Sequence, residues 1–289
     1  MIKQFRKPGA LNYSTNVQRS VFLTFIWMQS ANLLFYVLDN VVYRIPPSGL
    51  LTSWLAATSP AHFLKLSYYF LLISNYLSTS FSLLFCFTRF IVVYFPDSHT
   101  TKISHLFAFY IPISFILPFL LTLFFLPATV YCRQLIHPYS FGALYFNYVG
   151  AWHDIYYDPF NVSVNSLSTI AIIGINVGLL RKVRMMMKRK ANRASRSLKA
   201  EISLTLMTLT MSIPFLSNAA LTVTGVVDPL KSVYTLLPRQ ICSDIGLVAV
   251  PWIFYLTHPM FRSNFTVVVT MSQGSSGMRV RGPSELRIV

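Results

Sequence analysis

The chain has 289 residues, of which 54% are hydrophobic and only 11% are charged, whereas a soluble domain carries about 25% charged residues. This deficit, with a mean hydropathy of +0.54 spread over several apolar runs, excludes a soluble globular protein and a single signal peptide. The basic residues that give the net charge of +16 lie between the apolar runs, so nucleic acid is not expected as a partner. The composition predicts a polytopic membrane protein.

Six apolar runs are long enough to cross a membrane, for which a helix needs about 20 residues. Lipid cannot satisfy exposed backbone polar groups, so each run is predicted to be helical. The predicted fold is all-α, a transmembrane bundle with spans at about 20–43, 62–94, 103–126, 162–180, 202–227 and 236–256. Residues 44–61 contain paired prolines and a glycine and are predicted to form a loop, with a re-entrant segment as the alternative. The predicted membrane domain covers 1–262, and 263–289 is predicted to be a disordered cytoplasmic tail.

The distribution of basic residues predicts the orientation. If the N-terminus is inside, 19 of the 24 Lys and Arg lie on the inner side and five on the outer side, as the positive-inside rule expects. Both termini are therefore predicted to be cytoplasmic. Among three Asn-x-Ser/Thr sequons, this orientation places only Asn161 outside, and its closeness to a span leaves glycosylation there open.

No pattern for catalysis or for a bound metal is found. The sequence contains no HExxH, GxSxG, paired-carboxylate or glycine-rich phosphate motif. The three cysteines, Cys86, Cys132 and Cys242, are scattered and lack metal-ligand spacing, although Cys132 and Cys242 both lie near the predicted outer face. We expect a non-enzyme without a cofactor or metal.

Ionisable residues inside spans are costly and usually face the bundle interior. Asp244 is predicted to contact a ligand, to pair with Arg239 or Lys65, or to cap the helix at the interface. Asp39 lies about one turn from the outer end of its span, where interfacial water is expected to reach it. Arg89, near an inner end, is either a snorkelling side chain or an inner latch that changes partners when the bundle rearranges.

Other features of the spans and loops leave alternatives open. Pro214 and Pro251 are predicted to kink the last two spans. The basic, methionine-containing segment 181–201 either docks a cytosolic partner or anionic lipid, or carries ordinary positive-inside charge. An outer segment rich in aromatic residues forms an interfacial belt or a lid over an apolar ligand: Tyr139, Phe141, Tyr145, Phe146, Tyr148, Trp152, Tyr156, Tyr157 and Phe160.

Three segments together resemble a known receptor family. FCFTRFIVVYFP (85–96) is similar to the inner end of the family's third helix, and KAEISLTLMTLTMSIPFLSN (199–218) to the start and kink of its sixth. VAVPWIFYLTHPMFR (248–262) is similar to the end of its seventh. The chain resembles the nematode serpentine chemoreceptors, seven-helix G-protein-coupled receptors of the gamma superfamily, and is most similar to class v.

The resemblance implies roles for individual residues. Arg89 would be the inner third-helix arginine, and Pro214 and Pro251 the kinks of an activation switch. The family binds small ligands among the outer halves of its helices, which here implies Tyr68, Tyr69, Asn75, Asn218 and Asp244. The third inner loop would face a heterotrimeric G protein or membrane lipids through Arg181, Lys182, Arg184, Lys188, Arg189 and Lys190.

The six spans align with helices two to seven of the family, which leaves its first helix without a counterpart. The predicted function is that of a chemosensory receptor for a small molecule in the plasma membrane, with the sensory cilium implied by the resemblance. The alternatives are a six-span transporter or channel and a nonfunctional truncated receptor. A conduction path needs polar residues at several depths, whereas the intramembrane polar residues are expected to cluster in the outer half.

Overall fold

The structure is a computed structural model that describes residues 8–58, 62–150, 158–189, 196–228 and 231–257. In these ranges the chain forms seven α-helices and one antiparallel hairpin. The helices are α1 (Pro8–Asp39), α2 (Thr52–Thr58), α3 (His62–Tyr94), α4 (His99–Thr122), α5 (Asp158–Arg189), α6 (Arg196–Val227) and α7 (Ser232–Thr257). The hairpin strands are β1 (Thr129–Gln134) and β2 (Leu144–Val149). The predicted tail, 263–289, lies outside the described residues.

Each predicted span lies on one long helix, and the predicted all-α membrane bundle is confirmed. Five helical segments within the described residues are long and apolar enough to cross a membrane: Ser20–Ser48, Leu64–Tyr94, His99–Thr122, Phe160–Met186 and Ile202–Val227. The sixth predicted span lies on α7, which is not one of these five. Its 26 residues nevertheless reach about 39 Å, more than the roughly 30 Å of a hydrocarbon core.

Helix α3 is the centre of the bundle. It packs against α1, α4 and α5, while α6 packs against both α5 and α7. In its most apolar window 72% of the residues are buried, against 17–28% in the other four segments. Because a membrane helix surrounded by neighbours has no lipid-facing side, its polar side chains must find partners inside the bundle.

The outer end, named for the predicted orientation, is the end that carries the hairpin. The predicted loop 44–61 is more ordered than expected, because it contains a π-helical turn (Asn40–Arg44), a 3-10 turn (Pro46–Ser48) and α2. The 3-10 turn ends at Gly49 with φ +78°, a left-handed conformation that favours glycine. Just beyond it, the Thr52 hydroxyl donates a hydrogen bond to the Gly142 carbonyl. This bond ties the loop to the tip of the hairpin.

The hairpin itself was not predicted from the sequence. Its strands pair from Thr129↔Val149 to Gln134↔Leu144. Tyr145 stacks on Tyr43 at 5.9 Å between ring centroids, and Tyr148 lies 5.0 Å from Tyr68. Tyr145 and Tyr148 thus cover the helices, as the lid interpretation requires, whereas Phe141 and Phe160 are exposed. Trp152, Tyr156 and Tyr157 lie outside the described residues. No disulfide joins any of Cys86, Cys132 and Cys242 in the structure.

Candidate ligand cavity and inner arginine site

A cavity of about 370 Å³ lies between the hairpin and the helices. We call it the outer cavity. Its volume falls in the range of about 300–1,000 Å³ that is typical of small-molecule sites. The lining combines aromatic and aliphatic side chains with amides and an arginine, and includes Phe35, Tyr43, Tyr68, Leu71, Leu72, Asn75, Tyr145, Asn147, Tyr148, Asn161, Asn218, Leu236 and Arg239.

Three of the five predicted ligand residues line this cavity. They are Tyr68, Asn75 and Asn218. Tyr69 is half-buried and packs against the hydrophobic core beside it. Asp244 is not among the lining residues, and its side chain is 43% exposed. The prediction for these five residues therefore has structural support at three positions.

The partner of Asp244 differs from the two that the sequence suggested. Arg44 donates to both of its carboxylate oxygens, at 3.0 and 2.6 Å. The Lys65 amine instead donates to the Leu126 carbonyl. Arg44 was assigned to an outer loop, but the π-helical turn extends α1 by another turn and brings the guanidinium to α7.

A buried ion pair joins α1 to α7 at the wall of the outer cavity. The Arg239 Nη2 atom lies 2.5 Å from Asp39 Oδ1, and both side chains are only 1% exposed. The Arg239 guanidinium carbon also lies 4.7 Å from the centroid of the Tyr43 ring. The expectation that water reaches Asp39 and that Arg239 is simply an outer-side charge is wrong, because each is shielded by its neighbouring helices.

From this pair a chain of hydrogen bonds crosses the bundle. Arg239 Nε donates to Asn218 Oδ1 at 3.0 Å, and Asn218 Nδ2 donates to Asn75 Oδ1 at 3.2 Å. Asn75 Nδ2 donates to Asn165 Oδ1 at 3.3 Å. Asn161 Oδ1 then accepts from Asn165 Nδ2 and from the Tyr76 hydroxyl. We call this set the polar chain: Asp39, Arg239, Asn218, Asn75, Asn165, Asn161 and Tyr76.

The arginine fixes the direction of the polar chain. A guanidinium only donates hydrogen bonds, so the amide oxygen of Asn218 must face it and its nitrogen must face the next residue. The same orientation repeats at Asn75 and Asn165. Sequence reasoning missed Asn165 and the ion pair. A signal for the α5 residues was present, because Asn161, Asn165 and Asn176 fall on one buried helical stripe.

Asn161, the predicted glycosylation site, is only 9% exposed. Its side-chain oxygen already accepts two hydrogen bonds, from Tyr76 at 2.7 Å and from Asn165 at 2.8 Å. A glycan on its amide nitrogen requires an accessible side chain. The structure therefore disfavours glycosylation at this position.

A second polar site surrounds Arg89 near the inner end of α3. The guanidinium donates to Thr205 Oγ1 at 2.7 Å and to Thr208 Oγ1 at 3.1 Å, both on α6. Thr208 in turn donates to Asn176 Oδ1 on α5 at 2.6 Å. Arg89 is 0% exposed, so it does not snorkel. We call Arg89, Thr205, Thr208 and Asn176 the inner arginine site.

The two predicted kink prolines lie in different surroundings. At Gly246 on α7, a Cβ atom would lie 2.1 Å from Pro214 Cγ on α6. Only glycine allows these two helices to approach so closely. Pro251 lies inside α7 and is exposed on its surface. The activation role of both prolines stays a prediction.

The basic segment is partly described. Arg181, Arg184 and Lys188 are exposed, and their spacing of three and four residues places them on one side of α5. We call these three residues the inner basic face. Lys182 is half-buried, with its amine 5.2 Å from the centroid of the Tyr94 ring. The side chain of Arg189, and Lys190 as a whole, lie outside the described residues.

The tyrosine above the outer cavity is uncharged. Burial beneath the hairpin raises the pKa of the Tyr145 hydroxyl well above its usual value of 10.0, and the neighbouring Tyr43 and Tyr148 raise it further. Tyr145 therefore presents a neutral hydroxyl to the outer cavity.

A membrane helical bundle with a partly enclosed cavity in one half and a buried arginine in the other has the organisation of a membrane receptor. The family model described as serpentine type 7TM GPCR chemoreceptor Sru matches residues 1–264. The chain is also 34% identical, over 191 residues, to serpentine receptor class U-26 of Caenorhabditis elegans, a match covering 65% of each chain. The chain belongs to the Sru family of serpentine chemoreceptors.

This membership makes the chain an integral membrane protein of a receptor family. The predicted resemblance to nematode serpentine chemoreceptors is confirmed. The finer assignment to class v of the gamma superfamily is not confirmed, because the matches are to Sru and to class U.

Proposed function

We propose that the chain is a chemosensory G-protein-coupled receptor. A small molecule binds in the outer cavity, and the inner ends of the helices engage a heterotrimeric G protein. The receptor acts in the plasma membrane of a sensory cilium, with both termini of the chain in the cytoplasm as the Lys and Arg distribution predicts. Family membership and the outer cavity support this proposal.

The observation that carries the proposal is that the same two helices hold both sites. Asn75 of α3 and Asn218 of α6 meet at the outer cavity, and Arg89 of α3 meets Thr205 of α6 at the inner site. The sites are 13 or 14 residues apart along each helix, or about 20 Å at 1.5 Å per residue. A ligand that shifts α3 against α6 outside therefore changes the inner contact.

The latch interpretation of Arg89 follows from the same geometry. Its hydrogen bonds to two α6 hydroxyls hold the inner ends of α3 and α6 together. Outward movement of α6 would have to break them, and the inner basic face on the neighbouring α5 lies at the same end of the bundle. We infer that these bonds favour the resting state.

The distribution of polar residues does not favour a transporter or channel. Contrary to expectation, buried polar residues occur along much of α3 and are not confined to the outer half. Several of the hydroxyls, however, donate to the carbonyl three or four residues earlier in their own helix: Ser74 to Leu71, Thr79 to Asn75 and Thr88 to Leu84. The hydrogens of these hydroxyls are engaged within their own helix and are not available to donate to a conducted water or ion.

The test is G-protein nucleotide exchange by the full chain in lipid nanodiscs. The Thr205→Val/Thr208→Val variant removes the two α6 hydroxyls that accept from Arg89 while keeping side-chain volume nearly constant, and we expect it to raise ligand-independent exchange several-fold. Thr210→Val is the matched control, since its hydroxyl donates to Leu206 of its own helix. The native chain and the double variant are both tested with members of the main G-protein classes. If neither drives nucleotide exchange faster than empty nanodiscs do, the proposal is contradicted.

A further inference from the structure

The charge of the outer cavity defines a class of ligand. Its lining includes two arginines, Arg239 and Arg133, and none of the described lining residues is an aspartate or glutamate. Around the cavity wall, Arg239, Arg133 and Arg44 carry three positive charges. Asp39 and Asp244 supply only two negative charges, and both are already paired with arginines. The remaining positive charge is that of Arg133, whose side chain is exposed, and a negatively charged ligand would balance it.

The hydrogen-bonding groups point to the same class. Arg239 Nη1 is buried and has no hydrogen-bond partner among the described residues, although its Nη2 and Nε atoms are engaged by Asp39 and Asn218. At the far end of the polar chain, Asn161 Oδ1 already accepts twice. In the described part of the structure its Nδ2 donates to no partner. Asp39 Oδ2, on the other side of the ion pair, is likewise buried without a hydrogen-bond partner among the described residues. The open donors of the polar chain are Arg239 Nη1 and Asn161 Nδ2, and an acceptor on the ligand would satisfy them.

The remaining lining is suited to an apolar body. The lining also includes the rings of Tyr43, Tyr68 and Tyr148 and the side chains of Leu71 and Leu72. Aromatic and aliphatic surfaces of this kind bind hydrocarbon or ring structures. A cationic amine would be repelled by the charge of Arg239, and the carboxylates of Asp39 and Asp244 are already paired with arginines.

We propose that the outer cavity binds small organic acids, with a carboxylate at the Arg239 end and an apolar or aromatic body against the tyrosines. This proposal rests on the proposed function and names its ligand class. The carboxylate accepts from Arg239 Nη1, and Arg133, which lies on the exposed side of β1, adds attraction at the entrance. Charge-assisted bonds to a buried guanidinium are stronger than bonds between neutral groups.

The experiment compares three probes with one skeleton and different charges. They are 3-phenylpropanoate, 3-phenylpropanamide and 3-phenylpropylamine, and their binding to the full chain in nanodiscs is measured by calorimetry and by thermal shift. We expect the acid to bind at least tenfold more tightly than the amide, and the amine not to bind. Equal or tighter binding of the amide or amine overturns the proposal, as does the absence of acid binding to folded protein.

Variants test whether the preference comes from the arginines. Asp39→Asn/Arg239→Gln removes both buried charges together, and we expect the acid and the amide to bind about equally to it. Arg133→Gln, which changes an exposed side chain and so preserves the fold, should reduce the preference several-fold. Lys102→Gln is the charge-matched control, because Lys102 is exposed on α4 outside the lining. A full preference in both cavity variants overturns the proposal.

The nucleotide-exchange assay keeps this proposal separate from the proposed function. If the Thr205→Val/Thr208→Val variant raises nucleotide exchange but the native chain binds the amide more tightly than the acid, only the ligand class is contradicted. A chain that prefers the acid but never drives exchange contradicts only the signalling function.

Discussion

Removal of the Asp39 charge alone is expected to be among the most damaging polar substitutions in the bundle. Asp39→Asn keeps the shape of the side chain but leaves the Arg239 guanidinium buried without a counter-charge. Arg239 cannot escape by losing its proton, because an arginine stays charged in proteins. Breaking a buried pair from one side costs about 3–5 kcal/mol.

The other single substitution should cost less. In Arg239→Gln the buried carboxylate can take up a proton, and Asp39 Oδ2 still lies 4.0 Å from Arg44 Nε. The double variant Asp39→Asn/Arg239→Gln has no buried charge at this position and should cost only about 1–2 kcal/mol. From most to least stable, the expected order is therefore the native chain, the double variant, Arg239→Gln and Asp39→Asn.

Thermal unfolding of the full chain in nanodiscs, followed by tryptophan fluorescence, measures this order. At roughly 2 °C per kcal/mol for a chain of this size, Asp39→Asn should lower the midpoint by about 6–10 °C. The double variant should recover most of that loss. If the double variant is as unstable as Asp39→Asn, or if Arg239→Gln is the least stable of the three, the charge reasoning is wrong.

Three further predictions concern other parts of the bundle. Gly246→Ala should destabilise the chain by about 1–3 kcal/mol, because its new methyl group meets the Pro214 ring. The control Gly174→Ala on α5 has no atom within 4 Å of its Cβ position and should not lower the stability. Equal thermal unfolding midpoints for the two variants would refute the close contact. Replacing the three residues of the inner basic face with glutamine should slow G-protein coupling more at low salt than at high salt. Lys102→Gln should leave the coupling rate unchanged. A reduction in coupling that does not depend on salt would contradict an electrostatic role. Thr52→Val should speed hydrogen exchange in the hairpin by removing the bond that ties it to the outer loop, and unchanged exchange would show that packing alone holds it.

The helices could be predicted from the sequence because a membrane span is defined by a local property. An apolar run of about 20 residues forms a helix whatever surrounds it, and the span predicted at 62–94 has the same bounds as α3. The hairpin could not be predicted in this way. Its strands are six residues each and are stabilised by contacts with α3 and the π-helical turn. These contacts are made between distant parts of the chain and cannot be predicted from the local sequence.

The site was predictable only in part for a related reason. Sequence reasoning identified Arg89 and Asn218, which lie in segments resembling the family, and Asn75, which lies in the second predicted span. It assigned ion partners wrongly because Asp39 and Arg239 are 200 residues apart along the chain, as are Arg44 and Asp244. Which charges meet depends on the rotation of α1 and α7 about their axes, and hydropathy does not determine this rotation.

The single direction of the polar chain has an evolutionary consequence. Asn218, Asn75 and Asn165 must each accept from one neighbour and donate to the next. A replacement at Asn75 that only accepts, such as aspartate, still satisfies the amide nitrogen of Asn218 but leaves the side-chain oxygen of Asn165 without a donor. A compensating change must then occur on α5. Among relatives, positions 39 and 239 should be exchanged together, and positions 75, 165 and 218 should covary as a group across three helices.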